Sequence, residues 1–99
     1  MTQVNRISKN NTRITRGLTP EHRQVWLYDT CIVQVNPDEI VLNTGGWYTT
    51  TTRTRMTQVS REWGLGYAVG FSQKDGYRVS YKGKEYQFDQ RHEVRLPRA

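Results

Sequence analysis

Residues 24–35 contain the nearly uninterrupted apolar run VWLYDTCIVQV, which is dense in β-branched and aromatic side chains. Such a run is typical of a strand that is covered on both faces. The next four residues, 36–39, read Asn-Pro-Asp-Glu and predict a turn, because Pro37 fixes φ and Asp38 can bond its own backbone. The segment Ile40-Val41-Leu42 then returns as a second strand, so the sequence predicts a hairpin here.

The segment TGGWYTTTTRTRMTQVSREWG fits two templates, because threonine favours strands and also caps helices. As a helix from about Thr51 to Trp63, it places Met56, Val59 and Trp63 on one stripe and ends at Gly64. As a strand, it has no apolar face through the threonines. A helix is therefore the preferred interpretation.

From residue 67 onward the period of the pattern changes to two, with turns at residues 73–76 and 82–83 and a last strand over 84–88. The alternating positions are Tyr67, Val69 and Phe71 in one strand and Tyr77, Val79 and Tyr81 in the next. This aromatic face is expected in the core, although such a face can also hold single-stranded nucleic acid. The predicted order is β-β-α-β-β-β, an α+β domain in which an antiparallel sheet of about five strands carries one helix on a face.

Both ends of the chain lack such patterning. A length of 99 residues is that of one domain. We therefore predict a flexible basic arm over residues 1–20, a single α+β domain over 21–89, and a polar basic C-terminal tail over 90–99.

The net charge of +6 is located at these ends, because residues 1–23 carry +4, residues 90–99 carry +2, and the centre is neutral. Arginine outnumbers lysine by eleven to four. A planar guanidinium suits bidentate phosphate contacts and stacking on bases. The pattern indicates a polyanionic partner, although basic ends also keep a small protein in solution.

The corner Thr44-Gly45-Gly46-Trp47 leads into the predicted helix and is the most distinctive candidate site. Paired glycines let backbone N–H groups converge on an anion, and a helix N-terminus attracts one. Threonine hydroxyls, nearby arginines and the Trp47 ring would complete a phosphate or nucleotide pocket; alternatively, the corner is only a turn with Trp47 in the core. The predicted phosphate- or nucleic-acid-binding residues are Gly45, Gly46, Trp47, Thr51, Thr52, Arg53, Arg55, Arg61, Arg13 and Arg16.

The sequence gives little support to catalysis. It has no pair of cysteines, no H-x-x-x-H spacing and no tight group of carboxylates, so we expect no enzyme activity, no metal and no cofactor; a metal-free nuclease is the remaining catalytic alternative. Cys31 lies in the apolar run and is expected to be an inert buried thiol. No segment approaches the ~20 apolar residues of a membrane span or resembles an export signal, which predicts a cytoplasmic protein without a membrane partner.

The segments LYDTCIVQV, IVLNTGGWYTTTTRTRMTQVS, GLGYAV and YKGKEYQF resemble a group of small proteins of tailed bacteriophages that share an LN-x-GGW segment followed by TT-x-R-M. The resemblance covers roughly residues 27–89 and carries no known activity. It marks Gly45, Gly46, Trp47, Thr51, Thr52, Arg53 and Met56 as signature positions. It implies an infected bacterial cytoplasm, where small phage proteins commonly bind nucleic acid or disable host defence and host enzymes.

These observations favour a non-enzymatic binder of nucleic acid that contacts phosphate. Two alternatives stay open, namely an anti-defence protein that sequesters a nucleotide signal and an inhibitor that docks on a host protein. A homodimer is a further expectation, because a sheet of about five strands has exposed edges.

Overall fold

The computed structural model describes residues 11–17, 21–74 and 76–98. These residues contain eight strands and one helix. The strands are β1 (Thr12–Arg16), β2 (Arg23–Leu27), β3 (Thr30–Val35), β4 (Glu39–Asn43), β5 (Tyr67–Ser72), β6 (Gly76–Tyr81), β7 (Lys84–Gln87) and β8 (Glu93–Pro97). The helix, α1, is Thr50–Trp63.

All of the strand pairs are antiparallel, and they form two sheets. The larger sheet has five strands in the order β1-β2-β3-β4-β8, and the smaller has three in the order β5-β6-β7. Helix α1 packs against β5 of the small sheet and β3 of the large one. The predicted α+β class, with an antiparallel five-stranded sheet and one helix, is confirmed. The strands after the helix form a sheet of their own, apart from β8, which returns to the large sheet.

The apolar run at 24–35 is two strands and not one, which corrects the prediction. The chain reverses at Tyr28-Asp29, where Tyr28 has a φ of +54°, and Leu27 pairs with Thr30 across the turn. A bulge opposite Val25 and Trp26 then shifts the register of β3. Because a bulge inserts one extra residue, it lets the consecutive residues Ile32 and Val33 both be buried.

Two segments predicted to lie outside the sheet contribute strands to it. Residues 12–16 of the predicted arm pair with β2, and residues 93–97 of the predicted tail pair with β4. Each is a short edge strand with few apolar residues, so its alternation is too short to stand out: Ile14 in β1, and Val94 and Leu96 in β8. Residues 1–10 and 18–20 of the predicted arm lie outside the described residues.

The helix forms one residue earlier than predicted and ends as predicted. Thr49 is the N-cap, and its Oγ1 accepts a hydrogen bond from the Thr52 amide at 3.2 Å. Gly64 ends the helix in the left-handed conformation, with a φ of +64°. Met56 and Val59 are buried, as the apolar stripe predicts, and Trp63 packs half-buried against the core.

A buried pair of residues fastens α1 to β5. The Ser60 hydroxyl donates to the Tyr67 carbonyl at 2.6 Å and accepts from the Tyr67 amide at 3.1 Å. The Tyr67 hydroxyl donates to the Met56 carbonyl at 2.6 Å, and burial raises the pKa of Tyr67 well above its usual value. These contacts fix the orientation of α1, and therefore the place of its N-terminus.

Candidate functional site

The corner 44–47 lies between β4 and α1, and its backbone amides donate hydrogen bonds to acceptors within residues 43–44. The Gly45 amide donates to Oδ1 of Asn43 at 2.7 Å, and the Gly46 amide donates to Oγ1 of Thr44 at 3.2 Å. The Trp47 amide donates to the Thr44 carbonyl at 2.9 Å. A phosphate at these amides would have to displace internal acceptors, so the two glycines serve first to form the turn, with φ values of +62° and +87°.

The corner is held between the start of β3 and the loop before β8. The buried Thr44 donates its amide to the His92 carbonyl at 3.0 Å, and the Tyr48 hydroxyl hydrogen-bonds with Nδ1 of His92 at 2.9 Å. Held in this way, the two aromatic rings that follow the glycines point outward. Trp47 is 64% exposed and Tyr48 is 42% exposed, so Trp47 is not part of the core.

A cleft of about 470 Å³ lies between the β2–β3 turn and the N-terminus of α1. We call it the Tyr28–Trp47 cleft, after the exposed rings at its rim; Tyr28 is 67% exposed. Its apolar part comes from Leu27 and Ile32, and its other lining residues are Asp29, Thr30, Thr44, Thr49, Thr51 and Thr52. The cleft thus combines aromatic faces with hydroxyl groups.

A second cleft of about 320 Å³ lies between the corner and the small sheet, and we call it the Tyr48–Phe71 cleft. Its rings meet edge to face, with centroids 5.2 Å apart for Tyr48 and Tyr77 and 5.6 Å apart for Phe71 and Tyr77. Phe71 is 55% exposed, unlike the buried tyrosines of the same predicted face, Tyr67, Tyr77 and Tyr81. Gly76, Gln87 and Phe88 complete the lining.

Arg53 places a positive charge beside this second cleft. Its guanidinium carbon lies 5.7 Å from the centroid of Phe71 and 5.8 Å from that of Tyr77, within the range of a cation–π contact. Burial raises the pKa of Tyr77, and the charge of Arg53 partly opposes that shift. A half-buried arginine held over aromatic rings can contact an anion while a planar group stacks beside it.

Arg55 is buried rather than presented to a surface ligand, with only 7% of the residue exposed. Its Nη1 donates to Oε1 of Gln58 at 2.9 Å, whereas its Nε has no hydrogen-bond partner among the described residues. Burial lowers the pKa of Arg55, and electrostatic interaction with Tyr28 opposes that shift. Arg55 follows the lining residues Thr51 and Thr52 by one turn of α1.

The structure brings together some of the predicted binding residues and separates others. The corner residues and the threonines lie around the Tyr28–Trp47 cleft, and Arg53 lies beside the other cleft. Arg61 is exposed in the last turn of α1, eight residues and ~12 Å along the axis from Arg53. Arg13 and Arg16 are exposed on β1, where the Arg13 guanidinium lies 5.2 Å from the Trp26 ring.

The sequence did not single out Tyr28, Phe88 or His92 as parts of a site. The dipeptide Tyr28-Asp29 was the available signal for the first, because aspartate inside an apolar run is typical of a turn. His92 comes close through the pairing of β8 with β4, which the sequence did not reveal, and Phe88 directly follows β7 of the small sheet.

The remaining chemistry of the described residues is sparse. The Cys31 thiol is half-buried, contacts the Val33 carbonyl at 3.6 Å, and has its pKa raised by burial. Within residues 11–17, 21–74 and 76–98, no three His, Cys, Asp or Glu side chains form a group that could hold a metal ion. No helix in those residues is long and apolar enough to cross a membrane.

A protein-family model matches most of the chain. The model of the Kyanoviridae Gp96 protein family matches residues 1–94, and so extends beyond the segments 27–89 that carry the resemblance. No curated protein and no solved structure matches the chain. The match confirms the resemblance at the level of a small phage protein. The chain belongs to the Kyanoviridae Gp96 protein family.

Proposed function

We propose that this phage protein is a non-enzymatic binder of nucleic acid, whose bases stack in the two clefts at the N-terminus of α1 while arginines contact phosphate. One observation carries the proposal: the large apolar side chains that are exposed in the described part of the chain all line one of these two clefts. They are Tyr28, Trp47, Tyr48 and Phe71.

Exposed rings that line clefts mark a binding surface, because large exposed apolar patches are rare unless they are used. Stacking of a base on an aromatic side chain contributes about 1–3 kcal/mol and tolerates any sequence, since every base has a π-face. Such a surface suits a nucleic acid strand whose bases are accessible.

The charge of the chain favours a polyanion over an apolar protein target. The net charge is +6, and Arg53 is held over the rings of the Tyr48–Phe71 cleft. In this proposal the phosphate contact moves from the glycine corner, whose amides have internal acceptors, to Arg53. Arg13, Arg16 and Arg61 are exposed and add attraction at longer range.

The test measures binding of a fluorescent single-stranded oligonucleotide of about 12 nucleotides by anisotropy, at several salt concentrations. Arg53→Ala is expected to weaken binding about tenfold, because it removes both a phosphate contact and the support of the rings. The matched control is Lys84→Ala, which removes the same charge from the opposite end of the small sheet, where Lys84 pairs with Tyr81. An equal loss of affinity in the two variants would indicate attraction by net charge alone. Absence of binding at low salt would overturn the proposal.

The sequestering of a nucleotide signal is a second candidate, favoured by the size of the Tyr28–Trp47 cleft. Its volume of about 470 Å³ falls in the usual range for small-molecule sites, roughly 300–1,000 Å³. The untagged protein would be purified at low salt and denatured, and the released material examined by ultraviolet absorbance and mass spectrometry. A stoichiometric small nucleotide supports this candidate, whereas a long polynucleotide supports the first.

A further inference from the structure

The Tyr28–Trp47 cleft offers two ring faces from separate parts of the fold. Tyr28 comes from the β2–β3 turn and Trp47 from the corner before α1, and the cleft between them has an apolar base of Leu27 and Ile32. This arrangement differs from a flat stacking platform, because it is a concave cleft of about 470 Å³. We propose that this cleft takes one unpaired nucleobase, so that the nucleic acid bound by this protein is single-stranded; the inference rests on the proposed function.

Both rims of the cleft are held in place before any ligand binds. The Tyr28 hydroxyl accepts a hydrogen bond from Nδ2 of Asn11 at 2.9 Å, and Tyr28 itself sits in a tight turn. The backbone at Trp47 is fixed by the hydrogen bond from its amide to the Thr44 carbonyl and by the close approach of Gly45 to Thr30. Ordering of side chains on binding is costly, so a pre-formed slot binds a planar ring more tightly than a mobile one.

Polar groups at the cleft match the edge of a base. The Asp29 carboxylate can accept hydrogen bonds from amino groups, and the exposed Thr51 hydroxyl can donate or accept. In a duplex those edges are paired and both faces are covered by neighbouring bases. Only a base that is unpaired and unstacked can enter a slot of this kind, which is how proteins read single strands.

The charge behind the wall of the cleft favours an anionic ligand over an apolar one. Arg55 is more than nine-tenths buried, its Nε lacks a partner among the described residues, and its guanidinium interacts electrostatically with Tyr28. A buried positive charge one turn along α1 from the lining residues Thr51 and Thr52 suits a base that carries a phosphate.

The test compares the full-length protein with Trp47→Ala and Trp47→Phe, using a single strand of about 12 nucleotides and the duplex of the same sequence at one salt concentration. The unmodified protein should prefer the single strand by about tenfold or more. Trp47→Ala should lose that preference while its duplex affinity stays unchanged, and Trp47→Phe should keep most of it, because phenylalanine still stacks. Trp47 is largely exposed, so both variants should retain the melting temperature.

Failure of the inference is distinguishable from failure of the proposed function. If single strand and duplex bind equally and Trp47→Ala changes neither, while Arg53→Ala weakens both, nucleic-acid binding stands and the slot is refuted. If no oligonucleotide binds, quenching of tryptophan fluorescence by AMP, GMP, CMP and UMP remains a direct measurement on the cleft. Quenching that disappears in Trp47→Ala supports the slot, and its absence overturns the inference.

Discussion

Gly45 lies against Thr30 so closely that a β-carbon built on the glycine would come within 2.8 Å of Cγ2 and 3.0 Å of Oγ1 of Thr30. The glycine also has a φ of +62°, a backbone conformation that residues with a β-carbon rarely adopt. Two separate constraints therefore act at one position. They fix the corner against the start of β3, at the edge of the Tyr28–Trp47 cleft.

Gly45→Ala is expected to destabilise the fold more than Gly64→Ala does. Gly64 has nearly the same φ, +64°, but no atom lies within 4 Å of its built β-carbon. Gly64→Ala should lower the free energy of unfolding by about 1–2 kcal/mol, the cost of the left-handed backbone. Gly45→Ala should lower the free energy of unfolding by about 1–3 kcal/mol more than Gly64→Ala does, because the added methyl group overpacks against Thr30. Urea denaturation followed by circular dichroism measures both.

Thr30→Ala provides the double-mutant test, because it removes both atoms that come closest to Gly45. In the Thr30→Ala background, Gly45→Ala should cost about as much as Gly64→Ala does, since only the backbone penalty remains. If the added cost of Gly45→Ala is the same in the Thr30→Ala background as in the unmodified chain, the steric explanation is wrong.

The elements that could be predicted from the sequence are those with a long or clean pattern. Helix α1 has a threonine N-cap, an apolar stripe and a terminal glycine, which agree with one another. The hairpin of β5 and β6 alternates over six residues in each strand. The pattern failed at β1 and β8, because a five-residue edge strand with one or two apolar side chains is too short to stand out from a polar terminal segment.

The candidate site was predictable only in part, for a related reason. The sequence drew attention to the corner and to Arg53, which are contiguous in the chain. The rings of Phe71, Phe88 and Tyr28 come from other parts of the chain, and the packing of α1 against both β3 and β5 brings the two sheets to this region. Arg53 and Arg55 have similar sequence surroundings, but they lie on different faces of α1. Arg55 is buried beside Gln58, whereas Arg53 lies over the Phe71 ring.

The buried Tyr67 is expected to make stability fall at high pH. Its pKa is raised by burial, so above a pH of about 10 the unfolded chain loses this proton while the folded protein keeps it. The unfolded state then binds fewer protons, and the free energy of unfolding declines as the pH rises. Tyr67→Phe should reduce that decline by up to about 1.4 kcal/mol per pH unit.

The measurement is urea denaturation of both proteins between pH about 8 and 11. Near pH 8, Tyr67→Phe should be less stable by about 1 kcal/mol, because the bond to the Met56 carbonyl is lost. Curves that run parallel above pH about 10 would show that Tyr67 does not contribute to the decline.

Arg55→Met is expected to leave the fold as stable as before, or to stabilise it by about 1 kcal/mol, because a buried guanidinium whose Nε has no hydrogen-bond partner among the described residues is costly. Arg61→Met is the matched control on the same helix. Arg61 is exposed in the last turn, where a positive charge is favourable, so its loss should cost about 0.3–1 kcal/mol.

A loss above about 2 kcal/mol for Arg55→Met would mean that the guanidinium contributes to stability. Weaker binding of nucleotides by a stable Arg55→Met protein would instead place its role in ligand recognition.

Removal of residues 1–10 separates the charge of the N-terminus from the fold. The segment carries Arg6 and Lys9, and it ends before β1, which begins at Thr12. Removal of residues 1–19 should lower the melting temperature, because that deletion removes β1 and exposes the edge of β2. If the two basic residues contact phosphates of a single strand, the slope of log affinity against log salt should become shallower by about 0.7 for each contact. An unchanged slope would show that the segment takes no part in binding, and would leave the contacts to the arginines of the domain.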